Sequence, residues 1–129
     1  MSEIVRIGGA SGFWGDSSVG APQLVTVPGI RYLVFDYLAE LTMSILGAAR
    51  ARNPELGYAT DFVEITARQV LKDCKERGIR LIANAGGVNP AACAHVLQKL
   101  AAELGVGAKV AVVDGDDVMP LVRALRSRG

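Results

Sequence analysis

The stretch Ile4-Val5-Arg6-Ile7-Gly8-Gly9-Ala10-Ser11-Gly12-Phe13-Trp14-Gly15-Asp16-Ser17-Ser18 decides the fold. Its β-branched run, with Val5 and Ile7 alternating about Arg6, predicts a strand over residues 4–9. The glycines that follow let the backbone turn, or let a ligand approach closely. Asp16 or Ser17 can then cap a helix by accepting from a first-turn amide. Strand, glycine loop and helix start is the order found at the carboxyl edge of a parallel α/β sheet, where ligands usually bind. A chain that merely reverses over a sheet edge uses the same loop, so the later junctions carry the decision.

Working outward, Pro22 suits the first turn of a helix within residues 17–27, and Val27-Pro28-Gly29 ends it. Residues 32–37 form a near-continuous apolar second strand, which suits a sheet covered on both faces. Apolar residues surround most of the helix predicted over 38–50, leaving only Glu40, Ser44 and Gly47 as a polar stripe. Such a helix should be deeply buried or pressed against a partner. Thr60 or Asp61, with Glu64 as a capping-box partner, opens a helix that runs to Arg77 and stops at Gly78. Residues 80–84 give strand three, and Pro90 starts a helix that reaches Leu104. Residues 109–114 give strand four, and Gly115-Asp116-Asp117 begins a last helix. Strands alternating with helices predict right-handed parallel crossovers. The expected fold is a single α/β domain over residues 1–129, a Rossmann-like three-layer parallel sheet of about four strands with helices on both faces.

Composition narrows the function. Half of the 129 residues are hydrophobic but only 5% are aromatic, so the core is aliphatic. A net charge of +1 supplies no field for nucleic acid or anionic lipid, so no nucleic-acid partner is expected. Cys74 and Cys93 fall on apolar helix faces and read as core residues of a reducing compartment. No apolar run reaches the roughly 18 residues of a membrane span, and the amino terminus lacks a signal-peptide pattern. The cytoplasm is the expected location.

Four junctions should meet at one sheet edge: residues 8–17, Asp36-Tyr37 with Glu40, residues 84–89 and residues 114–117. Asp16, Asp36 and Glu40 are candidate proton-handling carboxylates, since acids sharing a pocket acquire separated pKa values. Asp16 also has a structural reading as a helix cap, and Glu40 as a favourable charge at a helix start. Asn84 could orient a substrate carbonyl, whereas Asn89 caps its helix. Gly9, Ser11, Gly12, Gly86 and Gly87 are the candidate binders of a cofactor or anionic group through loop amides. The loop is neither a Gly-Lys-Ser/Thr phosphate loop nor a G-x-G-x-x-G fingerprint, which disfavours nucleotide hydrolysis. His95 is expected to face solvent, no metal-ligand spacing is present, and Trp14 either plugs the sheet or stacks on a substrate. The cofactor is not read from these residues.

Residues 6–16, residues 36–43 and residues 84–90, in this order and spacing, resemble the amino-terminal part of the acyclic terpene utilisation (AtuA-like) family. The resemblance implies a catabolic enzyme, or the amino-terminal part of one. Its substrate would be a small or branched carboxylic acid or its acyl-coenzyme A ester; the step expected here, which the resemblance does not specify, is a lyase or hydratase reaction. Family members are generally longer, which implies a fragment or a subunit completed by another chain. The alternative is a non-catalytic binding or assembly module, a homo-oligomer or partner subunit, suggested by the apolar helix over 38–50.

Overall fold

Three β-branched and small-residue runs pair in parallel, and one helix from each crossover lies against the same side. In a computed structural model that describes residues 4–127 (Arg123 by its backbone alone), the order begins β1 (Arg6–Ser11), α1 (Gly20–Val25), β2 (Ile30–Phe35) and α2 (Glu40–Arg52). A π-helical stretch (Phe62–Ala67) then runs into α3 (Arg68–Arg77), followed by β3 (Arg80–Ala83) and α4 (Pro90–Glu103). A 3₁₀ turn (Met119–Leu121) and α5 (Val122–Arg126) complete it. The sheet order is β1-β2-β3, so each crossover steps to the next position. Gly8, Leu33 and Leu81 share one row of the register, and Gly9, Val34 and Ile82 share the next.

Because side chains alternate along a strand, these rows face opposite ways. Gly8, Ala10, Leu33 and Phe35 are buried beneath Ala21 and Val25 of α1, Val70 and Cys74 of α3, and Cys93 and Leu100 of α4. Gly20 allows this closeness, since a Cβ there would lie 2.8 Å from the Ala10 carbonyl oxygen. On the other face Ile7 is 61% and Ile82 53% exposed. The expected three layers are therefore two among the described residues. One core receives α1, α3 and α4, and Arg68 of α3 ties to Glu103 of α4 through two hydrogen bonds of 2.7 and 3.1 Å.

Two further expectations change. Residues 109–114 do not pair as a fourth strand; they run past the free edge of β3 with Val113 94% exposed. Apolar content predicted that strand, but strand formation also needs the ladder bonds of a neighbour. The apolar helix α2 is not deeply buried either. Only Leu46 is enclosed, while Leu41 is 72% exposed and Ile45 48%. Leu46 meets the Gly87 turn, and the Arg50 guanidinium donates to the Val88 carbonyl, so α2 rests on the turn after β3 instead of on the sheet.

Other elements follow the sequence closely. Asn89 caps α4, accepting from Ala92 N at 3.4 Å, and its amide nitrogen donates to the Pro54 and Leu56 carbonyls at 2.8 Å each. Cys74 and Cys93 are free and buried, and His95 is exposed.

Candidate functional site

The carboxyl ends of β1, β2 and β3 are cross-linked by polar groups from distant parts of the chain. Asp36 N donates to Ser11 O at 3.1 Å, and Asn84 N donates to Phe35 O at 3.3 Å, which extends the parallel ladder past each strand end. The Asn84 side chain then bridges two residues. Its Oδ1 accepts from Tyr37 N at 2.7 Å, and its Nδ2 donates to Asp36 Oδ1 at 2.7 Å. The first bond orients the amide, and the second aims its NH₂ at a carboxylate, a charge-assisted contact. Asp36 and Asn84 are thus brought together as a pair.

Behind them, Tyr37 is 4% exposed and its hydroxyl lies 3.4 Å from Thr66 Oγ1, on the π-helical stretch. Burial pushes the phenol above its ordinary value; the Asp61 and Asp16 charges add to this, and hydrogen bonds to Thr66 and Ser11 oppose it. A π-type turn often accompanies functional residues, and here it buries Thr66 beside the phenol. Trp14 spans the same region, donating from Nε1 to Asp61 Oδ1 at 2.7 Å and from its backbone N to Tyr37 O at 3.2 Å. Trp14 therefore plugs the top of the sheet. Asp61, expected as a cap, makes no capping hydrogen bond and holds the indole instead.

The remaining candidates are more dispersed. Asp16 turns back on its own loop, accepting from Gly12 N at 2.9 Å and Ser17 N at 2.6 Å. These two N–H groups hold its carboxyl below the ordinary carboxylate value. Gly12's amide is consequently engaged, and the Ser11 hydroxyl donates to Phe13 O at 3.0 Å. Gly9 lies inside β1, paired with Val34, as the last residue of the strand expected over 4–9, and not in a binding loop. Glu40 is exposed as the first residue of α2 and makes no side-chain hydrogen bond to Asp36 or Asn84. Gly86 and Gly87 form the turn between β3 and α4, with Gly87 N donating to Asn84 O at 3.1 Å. Gly87 has φ +53°, and a Cβ there would lie 2.5 Å from Leu46 Cδ1 and 2.7 Å from Gly57 O.

A cleft of about 860 Å³ opens beside Asn84, Gly86, Gly87 and Asp116, with Leu71 and Cys93 among the apolar residues that line it. Burial pushes the Cys93 thiol up to about 11, so it lines the cleft as a neutral group. Among the described residues no three His, Cys, Asp or Glu side chains converge to hold a metal ion. No helix among them is long and apolar enough to cross a membrane.

Sequence reasoning missed Tyr37, Asp61 and Thr66. Tyr37 adjoins Asp36 and was visible as a strand end, but the Trp14–Asp61 contact spans 47 residues and leaves no local trace.

A parallel sheet with helices in its crossovers defines an α/β protein, and its polar network lies across the carboxyl edge, the usual place for a ligand in such sheets. Residues 5–129 match the model of the acyclic terpene utilisation family protein AtuA. The chain belongs to that family, whose description names acyclic terpene utilisation. No curated protein and no solved structure matches it.

Proposed function

We propose that the chain is a catabolic enzyme of this family, or the amino-terminal part of one, working at the carboxyl edge of its sheet in the cytoplasm. Its substrate is a small or branched carboxylic acid or the corresponding acyl-coenzyme A ester, and its step is that of a lyase or hydratase. The observation that carries this reading is the Asn84–Asp36 hydrogen bond of 2.7 Å, with Asn84 lining the 860 Å³ cleft. A lyase or hydratase needs one group to take a proton and another to return it. Asp36, oriented by Asn84, takes the first role, and Glu40 at the start of α2 takes the second. Asp16 shapes the β1 loop through Gly12 and Ser17 and adds negative charge near Tyr37. Ser11 and the backbone of the Gly86-Gly87 turn border the bound acid, with Gly12 in the loop after β1 and Gly9 inside the strand itself. In the intact protein, Asp36→Asn and Glu40→Gln should each lower turnover of a responsive acyl ester at least about a hundredfold, the size expected of a proton-transfer group. Unchanged turnover in both variants rejects the assignment. The substrate itself is found by screening acyl-coenzyme A esters and free acids for a raised melting temperature.

A second reading, an assembly subunit, is favoured by one observation: Leu41 and Ile45 of α2 are 72% and 48% exposed. Apolar surface of this kind marks interaction sites. Light scattering separates the readings, because a monomer at all accessible concentrations removes support for self-association through α2.

A further inference from the structure

The free edge of β3 faces a stretch of its own chain that has the composition of a strand and no partner strand. Lys109, Val110, Ala111, Val112 and Val113 line the same cleft as all four residues of β3. Ile82 of β3 is 53% exposed, and Val112 and Val113 are 44% and 94% exposed. Leu71 and Cys74 of α3 and Cys93 and Leu97 of α4 line the same cleft and give it an apolar floor.

Connectivity selects the occupant. The β1–β2 and β2–β3 crossovers move in one direction across the sheet, with α1 and α3 on the same face. Parallel crossovers are right-handed in nearly all cases. α4 packs on that same face, so the next strand belongs on the far side of β3, where residues 109–113 already run. The five residues 104–108 between α4 and this stretch match the usual length of an αβ connection.

We propose that residues 109–113 dock on β3 as a fourth parallel strand, closing the outer part of the cleft and seating Asp116 beside Asn84. This extends the site described above and rests on the reading of the carboxyl edge as the working edge. Asp116 already borders the cleft with Asn84, Gly86 and Gly87, and docking makes that neighbourhood permanent.

Amide hydrogen exchange on the full chain tests the pairing without any turnover assay. Amides of residues 110–113 should exchange at least about a hundredfold more slowly than in a free peptide of that sequence, as paired strands do. Alternate residues of a strand point their N–H groups to opposite sides. Either Ala111→Pro or Val112→Pro should therefore abolish that protection, while β2 amides stay protected as proof of folding. Asp116→Asn should shift the NMR signals of the Asn84 side-chain amide, and Asp117→Asn should not. Free-peptide exchange rates at 110–113 overturn the proposal. So does protection that grows with protein concentration, which would mean a strand from a second copy, and so does an Asn84 signal indifferent to Asp116. Because none of these readouts needs substrate, failure here is distinguishable from inactive Asp36 or Glu40.

Discussion

Replacing Asn84 tests the junction on which the carboxyl edge depends. The Asn84 side chain makes two bonds of 2.7 Å, one accepted from the partly buried Tyr37 N–H and one donated to Asp36. Asn84→Ala leaves the Tyr37 amide without its partner, a cost of about 1–3 kcal/mol for a buried donor. It also removes a contact to a carboxylate, which water largely replaces because Asp36 and Asn84 are exposed. The expected loss is about 2–3 kcal/mol, read as a fall in the urea midpoint with an unchanged slope. At the ~4 °C per kcal/mol expected for a domain of this size, Tm drops by roughly 8–12 °C. Asn84→Asp is the informative companion. It keeps an acceptor for Tyr37 N but sets a second carboxylate against Asp36, so one folded-state pKa rises above its unfolded value. Stability tied to a raised pKa is complete at low pH and is lost as pH rises. The Asp variant should therefore approach the parent protein in acid and fall away from it towards neutrality, whereas the Ala variant should stay below the parent at both ends. An Ala variant within about 0.5 kcal/mol of the parent, the range of ordinary surface changes, together with a flat pH difference for the Asp variant, would refute the bridging role.

Three other outcomes follow from the same geometry. Gly87→Ala places a methyl group 2.5 Å from Leu46 Cδ1 at φ +53°, and it should cost about 1–3 kcal/mol in chemical denaturation. Asp61→Ala frees the indole of the single tryptophan; Trp14 fluorescence should shift to the red, with a stability loss of about 1–2 kcal/mol. Cys74 and Cys93 are pushed up to about 11, chiefly by burial. At pH 8 a thiol reagent should modify them about a hundredfold more slowly in the native protein than after denaturation, because a two-unit rise depletes the thiolate by that factor.

Much of the local architecture was legible in the chain. Proline at residue 90 and asparagine at residue 89 act through their own backbone or within one helical turn, so α4 begins where the pattern puts it, and β3 falls in place as well. β1 and β2 form within two residues of the expected spans, and the helix expected from residue 60 or 61 passes through a π-helical stretch before α3. The stop at Gly78 is equally local. Among candidate site residues, Asp36 and Asn84 were visible as strand ends and meet in the structure. Asp16 was visible as well, but whether it faces a substrate or its own loop is not encoded in its neighbours. The bonds from Gly12 and Ser17 decide that it folds back.

By itself the sequence determined the order of the first three strands and the helices between them, the parallel sense of the sheet, the Asn89 cap, the Gly78 stop and the family. All of these depend on short-range periodicity or on motifs that survive being read in a line. Only the tertiary structure decided that α1, α3 and α4 share one face, that α2 rests on the turn at Gly87, that Asp61 holds Trp14, and that β3 keeps a free edge beside residues 109–113. Apolar periodicity states that a residue will be covered, and a strand-like composition states that it can pair. Neither names the partner, because partners 30 to 50 residues away are chosen by the packing of whole elements.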